Sequence, residues 1–218
     1  MQRILAGARF AAVASLFLSF GSAGFVADAQ VSSRSTFPGR RVGLGTRGEC
    51  TSRTLAHLVP IQSVYSPGPS QTLGLLVGPT QAPVSLTLLF KPDSNAKGGM
   101  SSRQTLPPMH AGVILVNVSP IKGPTIWESN FDCDSDTASA SSDPLAFVKS
   151  SSPPALSLLL PESSSVDQNV QSLLGRLHQR CGLTVPTAQT LTQFELSDLI
   201  TESWPSELTV HCLSLIHI

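Results

Sequence analysis

The segment RRVGLGTRGEC contains a G-x-G-x-x-G pattern at Gly43, Gly45 and Gly48. In a dinucleotide-binding unit, such glycines follow a buried strand, open a helix and precede an acidic residue by about 20 positions. Here the preceding residues are STFPGRR, and no Asp or Glu lies between Cys50 and Pro92. The pattern therefore predicts tight turns, with positive φ at one or more glycines, and no nucleotide cofactor.

The segment DCDSD offers carboxylates at Asp132, Asp134 and Asp136, and Asp143 stands where a calcium loop has its twelfth ligand. An EF-hand requires Gly at its sixth position, where this chain has Thr137, and no predicted helices flank the segment. We predict a solvated acidic turn rather than a metal site, with calcium binding as the alternative.

Other catalytic patterns are missing from the sequence. It contains no nucleophile elbow, no zinc-protease helix and no paired carboxylates of the kinds that hydrolases use. The histidines are scattered, at His57, His110, His178, His211 and His217. We predict a protein that is not an enzyme and takes no cofactor.

Residues 1–29 have the pattern of a secretory signal peptide. Arg3 and Arg9 precede the apolar run Phe10–Val26, and Ala27-Asp28-Ala29 forms an A-x-A cleavage site. We predict cleavage after Ala29, with an uncleaved membrane anchor as the alternative. No later stretch is long and apolar enough to cross a bilayer, so we expect an extracytoplasmic location: periplasmic, cell-surface or secreted.

The chain has four cysteines, and export would place them in an oxidising compartment. None lies in a C-x-x-C pair or near paired histidines, which argues against zinc. Of the three connectivities we favour one bridge in each half, Cys50–Cys133 and Cys181–Cys212. The alternative is free, buried thiols.

Only 13% of the residues are charged, and turn-forming residues are abundant. Short β-rich runs alternate with Pro and Gly, which predicts a mainly β fold over residues 30–150: an antiparallel, immunoglobulin-like β-sandwich. The predicted strands are Thr72–Val77, Val84–Phe90, Ala111–Val118, Pro124–Cys133 and Leu145–Lys149. Trp127 and Trp204 are expected in the core.

The composition changes after residue 150. Residues 151–165 are rich in Ser and Pro and are predicted to be a linker. Residues 166–212 are predicted to be a small helical hairpin. Its first helix, capped by Ser164 or Ser165, would bury Val166, Val170, Leu173, Leu174, Leu177 and Cys181, and its second would span Thr192–Thr201 with Phe194, Leu199 and Ile200 inward.

Charge is divided unevenly along the chain. Between Gln30 and Gly123 there are nine Lys and Arg against two acids, whereas from Pro124 onward there are three against eleven. One interpretation is a basic face for an anionic envelope polymer or lipid. The other, which we favour, is two solvated faces or two halves that attract each other, because neither half has a dense run of charge. Nucleic acid is not an expected partner.

The opening segment resembles the signature of an exported, mostly cyanobacterial family, domain of unknown function 928. The matching residues are Arg40, Arg41, Gly43, Gly45, Thr46, Arg47, Gly48 and Cys50. The family's next elements are matched in order by LAHLVP, TLGLLVGPTQAPVSLTLLF, AGVILVNVSP and GPTIWESNFDC, so that the likeness covers about residues 37–149. The resemblance implies a β-sandwich and a Cys50–Cys133 pair, and it implies no known activity. The family's usual Ala-, Trp- and Tyr-rich helical tail is not present.

Two further features concern the C-terminal part. Residues 165–202 are weakly similar to a surface-layer homology module, through LTQFELSDL, but they lack its GYPDGTF turn. The last six residues, LSLIHI, are what the sequencing-adapter string CTG TCT CTT ATA CAC ATC encodes. We therefore predict that residues 213–218 are an artefact and that the native sequence departs near Cys212. The alternative is a natural apolar strand.

These observations predict an exported, non-enzymatic module that binds or scaffolds a component of the cell envelope. The partner would be an anionic envelope polymer or another envelope protein. The alternative function is an enzyme, or an accessory domain of one, whose catalytic part lies beyond a truncated C-terminus.

Overall fold

The computed structural model describes residues 34, 36–44, 53–93, 101–132 and 153–216. Within these ranges the fold is mainly β, as predicted, with eleven strands in two sheets and two α-helices. The strands are β1 (Val42–Leu44), β2 (Thr54–His57), β3 (Val64–Tyr65), β4 (Thr72–Val77), β5 (Leu86–Pro92), β6 (Ser102–Leu106), β7 (Gly112–Val118), β8 (Thr125–Phe131), β9 (Ala155–Leu159), β10 (Thr184–Pro186) and β11 (Glu207–Ile216). The helices are α1 (Ser165–His178) and α2 (Thr187–Gln193).

The first sheet has six strands in the order β1-β2-β4-β7-β11-β10, and the second has five in the order β3-β9-β8-β5-β6. Most neighbours are antiparallel, but β7–β11 and β3–β9 are parallel. The predicted antiparallel arrangement therefore holds for the described strand pairs within residues 30–150, whereas both parallel pairs involve a strand beyond that range, β9 or β11. Long connections explain the difference: β11 returns to the sheet only after both helices, and such a crossover lets a strand run parallel to its neighbour.

The two sheets pack face to face. Alternate residues of β5 (Leu86, Leu88 and Phe90) are buried between the sheets, as expected where one face of a strand meets the core. Trp127 on β8 is also fully buried, as the sequence predicted, and Trp204 is partly buried against the same core. Burying each large apolar side chain contributes about 1.5–3 kcal/mol, so the side chains between the sheets are a major source of stability.

The opposite face of the six-stranded sheet is covered by α1. A Cβ at Gly74 on β4 would lie 2.5 Å from Leu174 Cδ2 and 3.0 Å from Leu58 Cβ. Glycine there lets the helix lie close to the sheet, and Leu173 and Leu177 are buried on the same side of α1. The predicted helical tail is therefore not separate from the β domain, because its apolar face completes the core.

Three predicted segments need correction. Residues 151–165 are not simply a linker, since β9 lies within them, between β8 and β3, with Leu159 fully buried. The predicted helix Thr192–Thr201 is misplaced: α2 ends at Gln193, and Glu195 follows with φ 55°. Residues 166–212 also contain β10 and most of β11, whose Leu208 and Val210 are buried.

Other predictions have mixed outcomes. Four of the predicted strands correspond to β4, β5, β7 and β8, and Leu145–Lys149 lies outside the described residues. Strand β11 continues through position 216, where Ile216 pairs with Val118. The adapter hypothesis concerns the origin of residues 213–218 and stays a prediction.

None of the helices described is long and apolar enough to cross a membrane.

Candidate functional site

Part of the glycine-rich signature can be placed in the fold. Gly43 lies in β1, where a Cβ would come 2.8 Å from the backbone nitrogen of Ala155 and 3.0 Å from the carbonyl of Pro153. This position needs glycine for close approach rather than for the positive φ of a turn, which corrects the prediction for Gly43. The signature residues Gly45, Thr46, Arg47, Gly48 and Cys50 lie outside the described part of the chain.

Arg41 uses its guanidinium inside the structure. It donates hydrogen bonds to the carbonyls of Val59 (3.1 Å), Phe194 (2.9 Å) and Glu195 (2.6 Å). Burial lowers the pKa of Arg41, and the carboxylates of Glu195 and Asp198 oppose that shift. Arg41 thus ties the chain after β2 to the end of α2. Its neighbour Arg40 is exposed, and its guanidinium donates to the carbonyl of Pro154.

A groove of about 200 Å³ opens beside Arg41. Its floor consists of buried or half-buried side chains, and its rim carries exposed aliphatic and amide side chains. Ile61 is 59% exposed and Val166 is 54% exposed, so two large aliphatic side chains border the groove in contact with solvent. The amide side chains on the rim are Gln62, Asn169 and Gln193. The groove therefore combines an apolar anchor region with uncharged hydrogen-bonding groups.

Asp167 fixes the first turn of α1 next to the groove. Its carboxylate accepts hydrogen bonds from the backbone N–H of Ser164 (2.7 Å) and of Ser66 (3.2 Å). Arg34 completes the shell with an ion pair at 2.7 Å, and it also donates to the carbonyl of Glu162. Asp167 is fully buried and Arg34 is 23% exposed. One carboxylate thus joins α1, the turn after β3 and the start of the described chain.

His57 lies between the two sheets, in a closed polar cluster. Its Nδ1 is hydrogen-bonded to Ser157 Oγ and its Nε2 to Ser129 Oγ, both at 2.8 Å. Its ring stacks on Trp127 with the centroids 3.5 Å apart. Burial lowers the pKa of His57 well below its usual value of 6.5, so the ring is neutral in the folded protein.

The His57 cluster has the residue types of a serine–histidine site but not its accessibility. His57, Ser129 and Ser157 are all fully buried. Both ring nitrogens are engaged with serines rather than with His110 or Asp132. The described contacts of this cluster are hydrogen bonds that link β2 of one sheet to β8 and β9 of the other.

The disulfide Cys181–Cys212 is formed, as predicted, with the Cα atoms 5.6 Å apart. It joins the turn after α1 to β11. Cys50 and Cys133 lie outside the described residues, so their predicted pairing stays a prediction. Of the acidic-turn residues, Asp132 follows β8, whereas Asp134, Asp136 and Asp143 fall in the part of the chain that is not described.

Most cations of the basic half are committed to internal partners. Arg34 pairs with Asp167, and Lys91 pairs with Glu128 at 2.9 Å. Arg53 is buried and donates to the carbonyl of Ala82. Together with Arg40 and Arg41, five of the seven described cations of this half bind backbone carbonyls or carboxylates. Arg103 and Lys122 are exposed.

Comparison with known proteins identifies no relative. No family model matches the chain, and neither the curated proteins nor the solved structures contain a match.

The groove was not predicted from the sequence. Val166 was expected to face inward, because its spacing to Val170 continues the apolar face of α1, yet it is largely exposed at the first helical turn. Ile61 follows Pro60 at the start of a turn, where an apolar residue carries no periodic signal. The signal that the sequence did offer for Ile61 was local. An aliphatic residue among turn residues, outside any regular apolar pattern, is expected to be exposed.

Proposed function

We propose that the protein is an exported, non-enzymatic binding module that takes an aliphatic side chain of another envelope protein into the groove beside Arg41. The observation that carries this proposal is the exposure of Ile61 and Val166 on the border of one groove. Four large hydrophobic residues are exposed in the described chain, and these are two of them. A concave site that combines apolar contacts with placed hydrogen-bonding groups is a common form of recognition site.

The groove rim favours a polypeptide ligand. Gln62, Asn169 and Gln193 each carry an amide with both donors and an acceptor, which match the N–H and C=O groups of an extended peptide. An aliphatic side chain of that peptide would lie between Ile61 and Val166. Displacing water from these two side chains supplies the apolar part of the affinity.

The charges favour a neutral segment over an anionic polymer. The guanidinium of Arg41, the cation of the groove lining, already donates to three carbonyls, and the carboxylate beside it belongs to Glu195. A cation that is saturated by backbone carbonyls adds little attraction for a polyanion. Of the two partners considered from the sequence, another envelope protein is therefore the better fit.

Location and family remain part of the proposal. The Cys181–Cys212 disulfide supports an extracytoplasmic location, since disulfides persist mainly in oxidising compartments. Membership of the domain of unknown function 928 family is proposed on the sequence resemblance alone, whose matched segments contain β4, β5, β7 and β8. Two face-packed sheets support an immunoglobulin-like sandwich, although the parallel pairs β7–β11 and β3–β9 depart from a simple antiparallel version.

The proposal is tested by selecting a random peptide library against the purified protein. We expect the selected peptides to share an aliphatic anchor residue. The double variant Ile61→Ser/Val166→Ser should weaken their binding by about tenfold or more, which corresponds to about 1.4 kcal/mol. Leu183→Ser is the matched control, because Leu183 is equally exposed (53%) and does not line the groove. Thermal unfolding checks that all variants remain folded.

Three outcomes contradict the proposal. The library yields no binding peptide, or the selected peptides bind the groove variant as tightly as the wild type, or Leu183→Ser weakens binding as much as the groove variant. An anionic polysaccharide serves as the competing probe. Binding to it that falls steeply with salt and ignores the groove variants would favour the polymer partner instead.

A further inference from the structure

The end of α1 and strand β11 bring three metal-ligating residues together. His178 is the last residue of α1, Cys181 follows in the next turn, and Cys212 lies in β11. One ligand atom of each, a ring nitrogen of His178 and the two sulfurs, all lie within 4.8 Å of one another. His178 and Cys181 are exposed, and Cys212 is half-buried. This corner lies outside the groove, and it does not depend on the function proposed for the groove.

We propose that reduction of the Cys181–Cys212 disulfide creates a binding site for Zn²⁺ formed by His178, Cys181 and Cys212. A dithiol reductant transfers two electrons and two protons to the S–S bond, which breaks to give two thiols while the reductant becomes a disulfide. Zn²⁺ then binds both sulfurs as thiolates, and the two thiol protons are released to solvent. The neutral imidazole of His178 supplies the third ligand.

The geometry fits zinc after small side-chain movements. Zinc lies about 2.3 Å from sulfur and about 2.0–2.1 Å from nitrogen in tetrahedral sites, which places ligand atoms about 3.5–3.8 Å apart. The ring nitrogen of His178 lies within 4.8 Å of both sulfurs, and the two sulfurs have to separate once their bond is broken. Cys212 lies in β11 and Cys181 in the turn that directly follows α1, with the Cα atoms of the two cysteines 5.6 Å apart.

Three protein ligands leave the fourth position of the metal open to water or to an added ligand. The exposed position of His178 and Cys181 gives the ion direct access from solvent. Disulfide and metal exclude each other, because both use the same two sulfurs. Either one ties the end of α1 to β11, so the corner alternates between an oxidised, metal-free form and a reduced, zinc-bound form.

The experiment titrates zinc into oxidised and reduced protein. The background variant Cys50→Ser/Cys133→Ser removes the other two cysteines. After reduction by a phosphine and its removal under anaerobic conditions, Zn²⁺ is titrated in competition with a chromogenic chelator. We expect one zinc per reduced chain and none per oxidised chain. Co²⁺ in place of Zn²⁺ should give the thiolate charge-transfer band and the visible spectrum of tetrahedral coordination.

Variants identify the ligands. His178→Gln should weaken zinc binding to the reduced chain by about tenfold or more, because a three-ligand site depends on each donor. His110→Gln is the control, since His110 is exposed and lies elsewhere. Equal zinc binding by the two variants, or no zinc binding by the reduced chain, overturns the proposal.

Two measurements keep the test decisive if folding is impaired. If the background variant does not fold, the wild-type chain is reduced instead, and His178→Gln should lose one equivalent of zinc relative to His110→Gln. If reduction itself loosens the chain, zinc should restore the circular dichroism spectrum and raise the unfolding temperature. Zinc that binds without restoring either signal overturns the proposal.

Discussion

The two faces of the six-stranded sheet bury their polar groups in different ways. Towards the five-stranded sheet, His57 binds two serine hydroxyls and stacks on Trp127 in a closed cluster. Towards the helices, Asp167 and Arg41 bind backbone groups of neighbouring loops, and a groove with exposed aliphatic residues stays open beside them. On the inner face His57 finds its hydrogen-bond partners within the core, although the buried Trp127 Nε1 has none among the described residues. On the helix face, polar side chains hold loops in place.

This difference assigns different tasks to the two faces. A closed, fully packed face contributes stability but offers nothing to a partner. Loops that are fixed by charged side chains hold a surface in one shape, and a pre-shaped surface loses less conformational entropy when it binds. Variants on the inner face should therefore change stability alone, and variants on the helix face should change stability and recognition together.

The largest effect is expected from Trp127→Ala. Trp127 is fully buried and stacks on His57, so its truncation leaves a large cavity between the sheets. We expect the free energy of unfolding to fall by about 3–5 kcal/mol in urea denaturation. Trp204→Ala is the matched control, because Trp204 is only partly buried, and it should cost about 1–2 kcal/mol. Equal losses for the two tryptophans would show that the inner face is not the main source of stability.

The next effect is expected from Asp167→Asn on the helix face. An asparagine keeps the shape but turns one acceptor into a donor, which opposes Arg34 and the N–H groups of Ser164 and Ser66. We expect a loss of about 2–3 kcal/mol in urea denaturation. The exposed Asp198→Asn should leave stability within about 0.5 kcal/mol. Peptides selected on the groove should also bind Asp167→Asn more weakly. Unchanged peptide affinity would show that the hydrogen-bond network of Asp167 does not contribute to recognition.

The pH dependence of stability tests the inner face without removing a side chain. Burial lowers the pKa of His57 in the folded state, so below about pH 6.5 the unfolded chain binds a proton that the folded chain does not. The stabilisation that depends on neutral His57 is therefore fully present above about pH 6.5. Below that pH, this group lowers the free energy of unfolding by up to about 1.4 kcal/mol per pH unit. Denaturant titrations between pH 7.5 and about 5 measure the slope. The slope of stability against pH should become smaller in His57→Gln. It should be unchanged in His178→Gln, because His178 is exposed. A slope unchanged in His57→Gln would contradict the assignment to His57.

The sequence predicted those parts of the fold where periodicity is strong. β4, β5, β7 and β8 are continuous apolar or alternating runs bounded by Pro and Gly, and all four were found within two residues of the structure. The apolar spacing of α1 from Val170 to Leu177 was also correct. Strand β9 has only five residues, ALSLL, and was missed because serine- and proline-rich segments on both sides gave the surrounding region the composition of a linker.

The candidate sites were not predictable in the same way. The groove forms where the loop after β2, the first turns of α1 and the end of α2 come together in the fold. These segments are far apart in the sequence, so no residue spacing predicts the groove. The zinc corner depends on β11 returning beside β7, which places Cys212 opposite a turn that lies 31 residues earlier. The sequence argument against zinc rested on the absence of short-range ligand spacing, and tertiary structure supplies the proximity instead.

The smallest expected effect is the difference between the adjacent arginines Arg40 and Arg41. Both belong to the predicted signature, but only Arg41 faces the groove. Lysine keeps the charge but lacks the planar fork that reaches three carbonyls, so Arg41→Lys should lose about 1–1.5 kcal/mol of stability. Arg40→Lys should change stability by less than about 0.5 kcal/mol, since Arg40 is exposed. If recognition depends on Arg41 holding the loops, selected peptides should bind Arg41→Lys more weakly and Arg40→Lys unchanged. Equal behaviour of the two variants would mean that the groove keeps its shape without the Arg41 contacts.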